Sequence, residues 1–133
     1  MKEPRWIKTS EALQIHDFEI LHYGGSHGAR DAGLLESALH RPQNQFHYEH
    51  KNIIELAAAY AFGISSNHPF IDGNKRTAFV VMTTFLILND LDITASEVQV
   101  VLCFQALAAG ELSETELADW LKSNTAPRNP STS

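Results

Sequence analysis

Two apolar stretches with strong helical character, Ile53 to Phe62 and Ala78 to Leu88, bracket one short polar run, His68-Pro69-Phe70-Ile71-Asp72-Gly73-Asn74-Lys75-Arg76. No other feature constrains the chain as tightly. The first stretch, IIELAAAYAF, is dense in alanine, which favours a helix that lets its neighbours approach closely. The second lies in a helix predicted from Asn74 to about Asn89. Apolar residues on every face mark that helix as the central, buried one. The polar run is therefore a loop that ends one helix and begins another.

The remaining segments are also mostly helical. Ser10 caps a first helix to about Tyr23, with Leu13, Phe18 and Leu21 partly on one face. Gly24-Gly25 stops it. A loop with three glycines follows to Arg30. Asp31 caps a shorter helix carrying Leu34, Leu35, Ala38 and Leu39, which Pro42 ends. Arg41 to Lys51 is polar and aromatic and reads as irregular or as a short β-hairpin flap. Asn52 precedes the alanine-rich helix, which runs to about Ser65 or Ser66. Ser96 with Gln99 opens a fifth helix ending near Ala109-Gly110, and Ser113 with Glu116 opens a last one through Leu117, Trp120 and Leu121. The fold class is all-α, a small helical bundle around one hydrophobic helix, with residues 1–123 as a single domain. Residues 124–133 hold Pro127 and Pro130 but no large apolar side chain, and read as a frayed tail.

Composition narrows the function. A chain of 133 residues suits one core, and a hydrophobic share of 44% fits a folded domain. The net charge of −6 disfavours general nucleic-acid binding and leaves protein or small-molecule partners. Cys103 is the one cysteine, which excludes an internal disulfide, and its neighbours Leu102 and Phe104 suggest a buried thiol. Met1 to Lys8 has no apolar signal-peptide core, and Ala78 to Leu88 is too short to span a bilayer. A soluble, cytoplasmic protein without a membrane partner is expected.

The polar run carries the chemistry. Lysine and arginine in a first helical turn face the positive end of the helix dipole, unfavourable by roughly 0.3–1 kcal/mol per charge. A bound anion reverses that sign, and free backbone N–H groups already point at such a ligand. Gly73 lets backbone approach a ligand closely. Lys75 offers a point charge, and Arg76 can grip phosphate oxygens with two donors. Asp72 supplies the hard oxygen that magnesium prefers. His68, in its neutral form, can take a proton near neutral pH, and Pro69 favours an extended backbone at that residue. Each residue also has a plainer reading. Asp72 alone serves as well as a helix cap. His68 alone suits a hydrogen-bonded loop, and Lys75 and Arg76 alone are solvated charges. Phe70 reads as a hydrophobic anchor. Elsewhere, His47 and His50 have zinc-like spacing but no third ligand near them in sequence. Trp6 and Trp120 read as packing residues, and His16 and Asp17 as surface or helix-packing residues of the first helix.

The run HPFIDGNKRTAF resembles the signature of the Fic/Doc family, HxFx[DE][AG]N[GK]R, at every fixed position. His16-Asp17, then Tyr23-Gly24-Gly25, then Asp31-Ala32-Gly33-Leu34-Leu35-Glu36-Ser37-Ala38 resemble the amino-terminal half of its Doc (death-on-curing) branch. The likeness covers roughly Thr9 to Leu121. It implies a small helical domain in which the motif joins two central helices. It also implies His68 as the base acting on a target hydroxyl and Asp72 as the magnesium ligand. Gly73, Asn74, Lys75 and Arg76 would form the cradle for nucleotide phosphates. The stretch Arg41 to Lys51 would be the flap on which a target segment docks by strand addition.

Family members that transfer AMP carry HPFxxGNGRxxR. This chain has Lys75 at the position of that second glycine and Phe79 at that of the second arginine. A lysine there fills space those enzymes leave to phosphate, and the missing arginine removes a two-pronged grip. Both departures match the Doc branch, which transfers the γ-phosphate of ATP to elongation factor Tu and arrests translation. The resemblance thus implies a toxin kinase using ATP and Mg2+. AMP transfer is the alternative, and a non-catalytic nucleotide- or antitoxin-binding module the less favoured one. The inhibitory pattern [ST]xxxE[GN] of many Fic proteins is absent, so a brake is expected on another chain. In the Doc branch that brake is the antitoxin Phd.

Overall fold

The computed structural model describes residues 2–128. The elements run α1 (Thr9–Tyr23), α2 (Ala32–Glu49), α3 (Ile53–Asn67), α4 (Asn74–Leu88), β1 (Leu91–Ile93), α5 (Glu97–Ala108), α6 (Glu114–Ser123) and β2 (Thr125–Pro127). The protein is a helical bundle, as its patterning predicts, with a minor two-stranded sheet that the patterning does not place.

Local chemistry starts most helices. The side chain of Asn52 accepts from the Glu55 N–H at 2.9 Å, and Glu55 returns the bond to the Asn52 N–H at 3.0 Å. Ser96 with Gln99 and Ser113 with Glu116 repeat this exchange. Asp31 caps α2 by accepting from the Leu34 N–H. At α1 the Glu11 carboxylate accepts from the Lys8 N–H, so the helix begins slightly before Ser10. Helix α4 alone among the six has neither a capping side chain nor a capping-box partner; its N-cap is Gly73.

Helix α3 is the hub. It packs against α2, α4, α5 and α6, and Leu56 through Ala61 expose no surface. Its small side chains set the spacing. A Cβ on Gly63 would meet the Ala38 Cβ at 3.3 Å, so α2 and α3 touch there almost backbone to backbone. The buried Tyr60 hydroxyl accepts from the Ile7 N–H at 3.0 Å and ties the N-terminal segment to the core. Helix α4 buries Thr77, Ala78, Val81, Met82, Phe85 and Leu86. Its other apolar residues are only half-covered, so α3 rather than α4 is the most deeply buried helix. Trp6 stacks on Phe85 at 6.0 Å and meets Phe46 edge-on at 5.7 Å, a packing role.

Four local expectations are corrected. Helix α2 does not stop at Pro42 but continues to Glu49, so Arg41 to Lys51 holds no β-hairpin flap. Proline costs the helix one hydrogen bond and crowds the preceding turn, but tertiary contacts outweigh that. Pro42 is buried, Arg41 and Gln45 both bond the Glu114 carboxylate at the start of α6, and Arg41 lies over the Phe62 ring. The strand pairing lies elsewhere: β1 and β2 run antiparallel, with Leu91 opposite Pro127 and Ile93 opposite Thr125. Part of the supposed tail is thereby ordered, Arg128 bonding both the Asp90 carbonyl and the Asp92 carboxylate; residues 129–133, including Pro130, lie outside the described residues. Finally, Leu13, Phe18 and Leu21 do not face inward. Leu21 is 75% exposed, and α1 buries Ala12, His16, Glu19 and Ile20 instead. The buried side of α1 meets α4 and also the loop between α3 and α4, where His16 bonds the Asp72 carbonyl, so it is not a purely apolar stripe. Among the described residues no helix is long and apolar enough to cross a membrane.

Candidate active site at the junction of α3 and α4

The polar run leaves α3 through His68, whose backbone is left-handed (φ 48°, ψ 58°) and not extended as expected. Proline at the next position bars the right-handed helical region. The left-handed well is the other exit, and it ends the helix at once. The His68 N–H still donates to the Ile64 carbonyl at 3.2 Å. The imidazole is exposed.

A strap formed by Gly24 to Asp31 holds the loop from outside. The Arg30 Nε donates to the His68 carbonyl and its Nη2 to the Asn67 carbonyl, each at 2.8 Å. These are carbonyls left over at the end of α3. The Arg30 and Asp31 N–H groups both donate to the Pro69 carbonyl, and the Ile71 N–H donates to the Gly28 carbonyl. Phe70 is 1% exposed and plugs the loop into the core, as predicted. Its ring lies flat on His16, centroids 3.8 Å apart and planes within 6°. The Asn74 side chain bonds Phe70 twice, accepting from its N–H at 3.0 Å and donating to its carbonyl at 2.9 Å. Asn74 thus spends its amide on the loop and offers the cavity only its backbone N–H.

Asp72 is exposed and does not cap α4 in the usual way. Its carboxylate accepts from the adjacent Gly73 N–H and, through Oδ2, from the Ser26 N–H, both at 3.2 Å. Two acceptors this exposed keep free lone pairs for a cation. The strap can approach because Gly25 has no side chain, and a Cβ there would sit 3.0 Å from Asp72 Oδ2. Gly73 takes φ 78°, and a Cβ on it would meet Ile20 Cδ1 at 3.1 Å. The first intrahelical bond of α4 is from the Thr77 N–H to the Gly73 carbonyl. The N–H groups of Asn74, Lys75 and Arg76 meet no acceptor among the described residues. Lys75 is exposed. The Arg76 Nη2 donates to the Gly24 carbonyl at 2.9 Å, and its guanidinium lies 5.7 Å from the Tyr23 ring. That is the negative end of the α1 dipole, which suits a cation.

His68, Ile71, Asp72, Gly73, Asn74, Lys75 and Arg76 line one open cavity of about 500 Å³. Every predicted site residue is therefore brought together. A smaller apolar cavity of about 200 Å³ adjoins it, lined by Glu19, Lys75, Arg76, Phe79, Val100, Val101 and Phe104. Phe79, which takes the place of an arginine, meets Phe104 edge-on at 5.3 Å. A roomier cleft of about 740 Å³ lies between α2, α3 and the start of α6. Its size does not make it the better site. Its best-placed charges, Arg41 and Glu114, already neutralise each other, whereas the junction presents unanswered donors beside an exposed imidazole and a carboxylate. Sequence reasoning missed His16, Ser26 and Arg30. The first and last lie 56 and 38 residues from the groups they hold, and local patterning carries no signal over that distance.

Comparison with known proteins agrees with this geometry. Residues 6–86 match the model of the Fic/DOC family. The chain is 34% identical over 119 residues to the protein kinase doc of Escherichia phage P1, an alignment covering 89% of this chain and 94% of that protein. It is 37% identical over 75 residues to the toxin Doc of Mycolicibacterium smegmatis, covering 55% of this chain and 58% of the relative. With the family model matching most of the chain and a relative 34% identical across 89% of it, the chain belongs to the Fic/DOC family.

Proposed function

We propose that this protein is a Doc-type toxin that transfers the γ-phosphate of ATP to a hydroxyl of a translation factor, elongation factor Tu, and so arrests translation. The observation that carries this reading is the uncapped start of α4. Three free N–H groups and the Lys75 side chain sit there in the cavity that also holds His68 and Asp72. An anion with several oxygens is the ligand that satisfies all of them. The names of the two relatives, a kinase and a toxin, point the same way.

In this reading Gly73, Asn74, Lys75 and Arg76 hold the phosphates, through backbone N–H groups and the two cations. Asn74 contributes its backbone only. Arg76 leaves the Gly24 carbonyl, or bridges from it, to grip phosphate oxygens. Asp72 holds magnesium; the fit rests on its exposed carboxylate, on which the Gly73 and Ser26 N–H groups leave lone pairs open. Magnesium, when bound, neutralises charge on the phosphates. A site with one carboxylate suits this ion, which usually keeps water and phosphate oxygens as its other ligands. His68 takes the proton from the attacking hydroxyl, and its exposure lets a protein substrate reach it. The Arg30 clamp fixes the backbone from which the imidazole projects.

Lys75 and Phe79 favour phosphate transfer over AMP transfer, since they fill or remove what AMP-transferring relatives use for phosphate. The brake is proposed to be a Phd-like antitoxin. The apolar cavity between α1, α4 and α5, with Leu13, Phe18 and Leu21 exposed on α1 and Val98, Val101 and Leu102 on α5, suits an amphipathic segment. With α2 helical throughout, the target must dock without the strand-adding flap expected from Arg41 to Lys51.

The test is the intact mass of elongation factor Tu after incubation with the protein, ATP and magnesium. A gain of about 80 Da that His68→Ala abolishes is expected, whereas about 329 Da would mean AMP transfer and would overturn the kinase reading. Radiolabel from the γ-phosphate, and none from the α-phosphate, should follow the same pattern. Growth arrest that persists undiminished in His68→Ala would favour a binding module.

A further inference from the structure

We propose that His16 on α1 is a positioning residue of the active site, holding the Asp72 peptide in its working orientation. The side chain is 1% exposed, and its Nε2 lies 2.7 Å from the Asp72 carbonyl oxygen. A carbonyl only accepts, so Nε2 carries the proton and donates. The ring is also stacked on Phe70, and its Cδ2 lies 3.7 Å from where a Gly73 Cβ would sit. One imidazole thus stacks on Phe70, bonds the Asp72 backbone and lies beside Gly73. One turn later on the same face, Ile20 presses Cδ1 toward both Gly25 and Gly73.

An imidazole is a costly choice for a fully buried spot that an apolar ring would fill. Burying a polar group disfavours folding unless it is hydrogen-bonded. Among the described residues, the one bond its side chain makes is to the peptide that joins Asp72 to Gly73. Fixing that carbonyl fixes the opposite face of the same peptide, the Gly73 N–H, which donates to the Asp72 carboxylate. His16 therefore acts on the carboxylate through a short covalent and hydrogen-bonded path without touching a substrate. Loss of such outer partners typically costs roughly 10–100-fold in activity or metal affinity.

The inference rests on the proposed kinase activity for its kinetic arm, and stands apart from it in its spectroscopic arm. Two variants separate ring from proton. His16→Phe keeps the stack on Phe70 and removes the donor. His16→Gln discards the ring but brings an amide N–H near the position of Nε2. The expected result is that His16→Phe stays folded yet loses roughly 10–100-fold in kcat for phosphate transfer and needs more magnesium, with KM for elongation factor Tu little changed. His16→Gln should recover a large part of that loss. Nitrogen-15 spectra of the wild-type imidazole should show a slowly exchanging proton on Nε2, and the Gly73 amide resonance should move in His16→Phe. Wild-type kcat and magnesium dependence in His16→Phe, or a proton on Nδ1 alone, would overturn the proposal. If the wild-type chain transfers no phosphate at all, the kinase reading falls. The Nε2 proton and the Gly73 resonance then decide the positioning role. If His16→Phe fails to fold, the wild-type Nε2 proton and His16→Gln decide it.

Discussion

At the scale of single residues, Gly73 and Arg30 both fix the backbone of the loop between α3 and α4. Gly73→Ala would place a Cβ at φ 78° against Ile20, and strain of this kind costs on the order of 1–3 kcal/mol. We expect a lower thermal midpoint and strongly reduced transfer, read by melting and by the mass assay. Arg30→Ala releases the Asn67 and His68 carbonyls. It should cost about 0.5–1.5 kcal/mol by urea unfolding, because both bonds are exposed to solvent and the charged donor gains little there over a neutral one. Arg30→Lys should recover only part of this, because a single ammonium does not reproduce the fork across two carbonyls. That His68, Asp72, Lys75 and Arg76 share one cavity was legible in the sequence because they lie in one short run. His16 and Arg30 were not, because a lone histidine in a helix or a lone arginine in a loop has many commoner explanations. Only the folded chain puts them against the run.

At the scale of elements, legibility followed locality. The starts of α3, α5 and α6 were readable because each cap and its partner are three residues apart. The continuation of α2 past Pro42 was not, since its support comes from Glu114, 69 and 73 residues away. The close crossing at Gly63 and Ala38 carries a prediction of its own. Gly63→Val would wedge α2 from α3 and should destabilise by about 1–3 kcal/mol, as overpacking does. Chemical denaturation should show it, with no change in the chemistry of the folded fraction. The free start of α4 carries another. Inorganic phosphate or sulfate should raise the thermal midpoint by binding only the folded state. Lys75→Ala combined with Arg76→Ala should blunt that rise, whereas chloride at equal ionic strength should not produce it.

At the scale of the whole molecule, two buried acids couple the core to pH. Burial pushes the Cys103 thiol from its ordinary 9.0 to about 11, as expected for the buried thiol read from sequence. Burial also raises the Tyr60 hydroxyl to about 12, against the opposing effect of the bond from Ile7. In both, the folded state favours the protonated form. The contribution is complete below the ordinary values of 9.0 and 10.0 and is lost as pH climbs toward 11 and 12. Urea midpoints should therefore hold steady to about pH 9 and then fall, and Cys103→Ala should remove the earlier part of the fall. The all-helical frame was legible as a whole, but the β1–β2 ladder was not, because three-residue strands leave too little alternation to read. The alanines of α3 have one further consequence, in genetics. Ala57, Ala58, Ala59 and Ala61 expose nothing, and the helix they pack ends on His68. If expression arrests growth, spontaneous survivors should map along α3 as densely as to the motif. A survivor allele would then report the tightness of a helix as often as the identity of a reacting group.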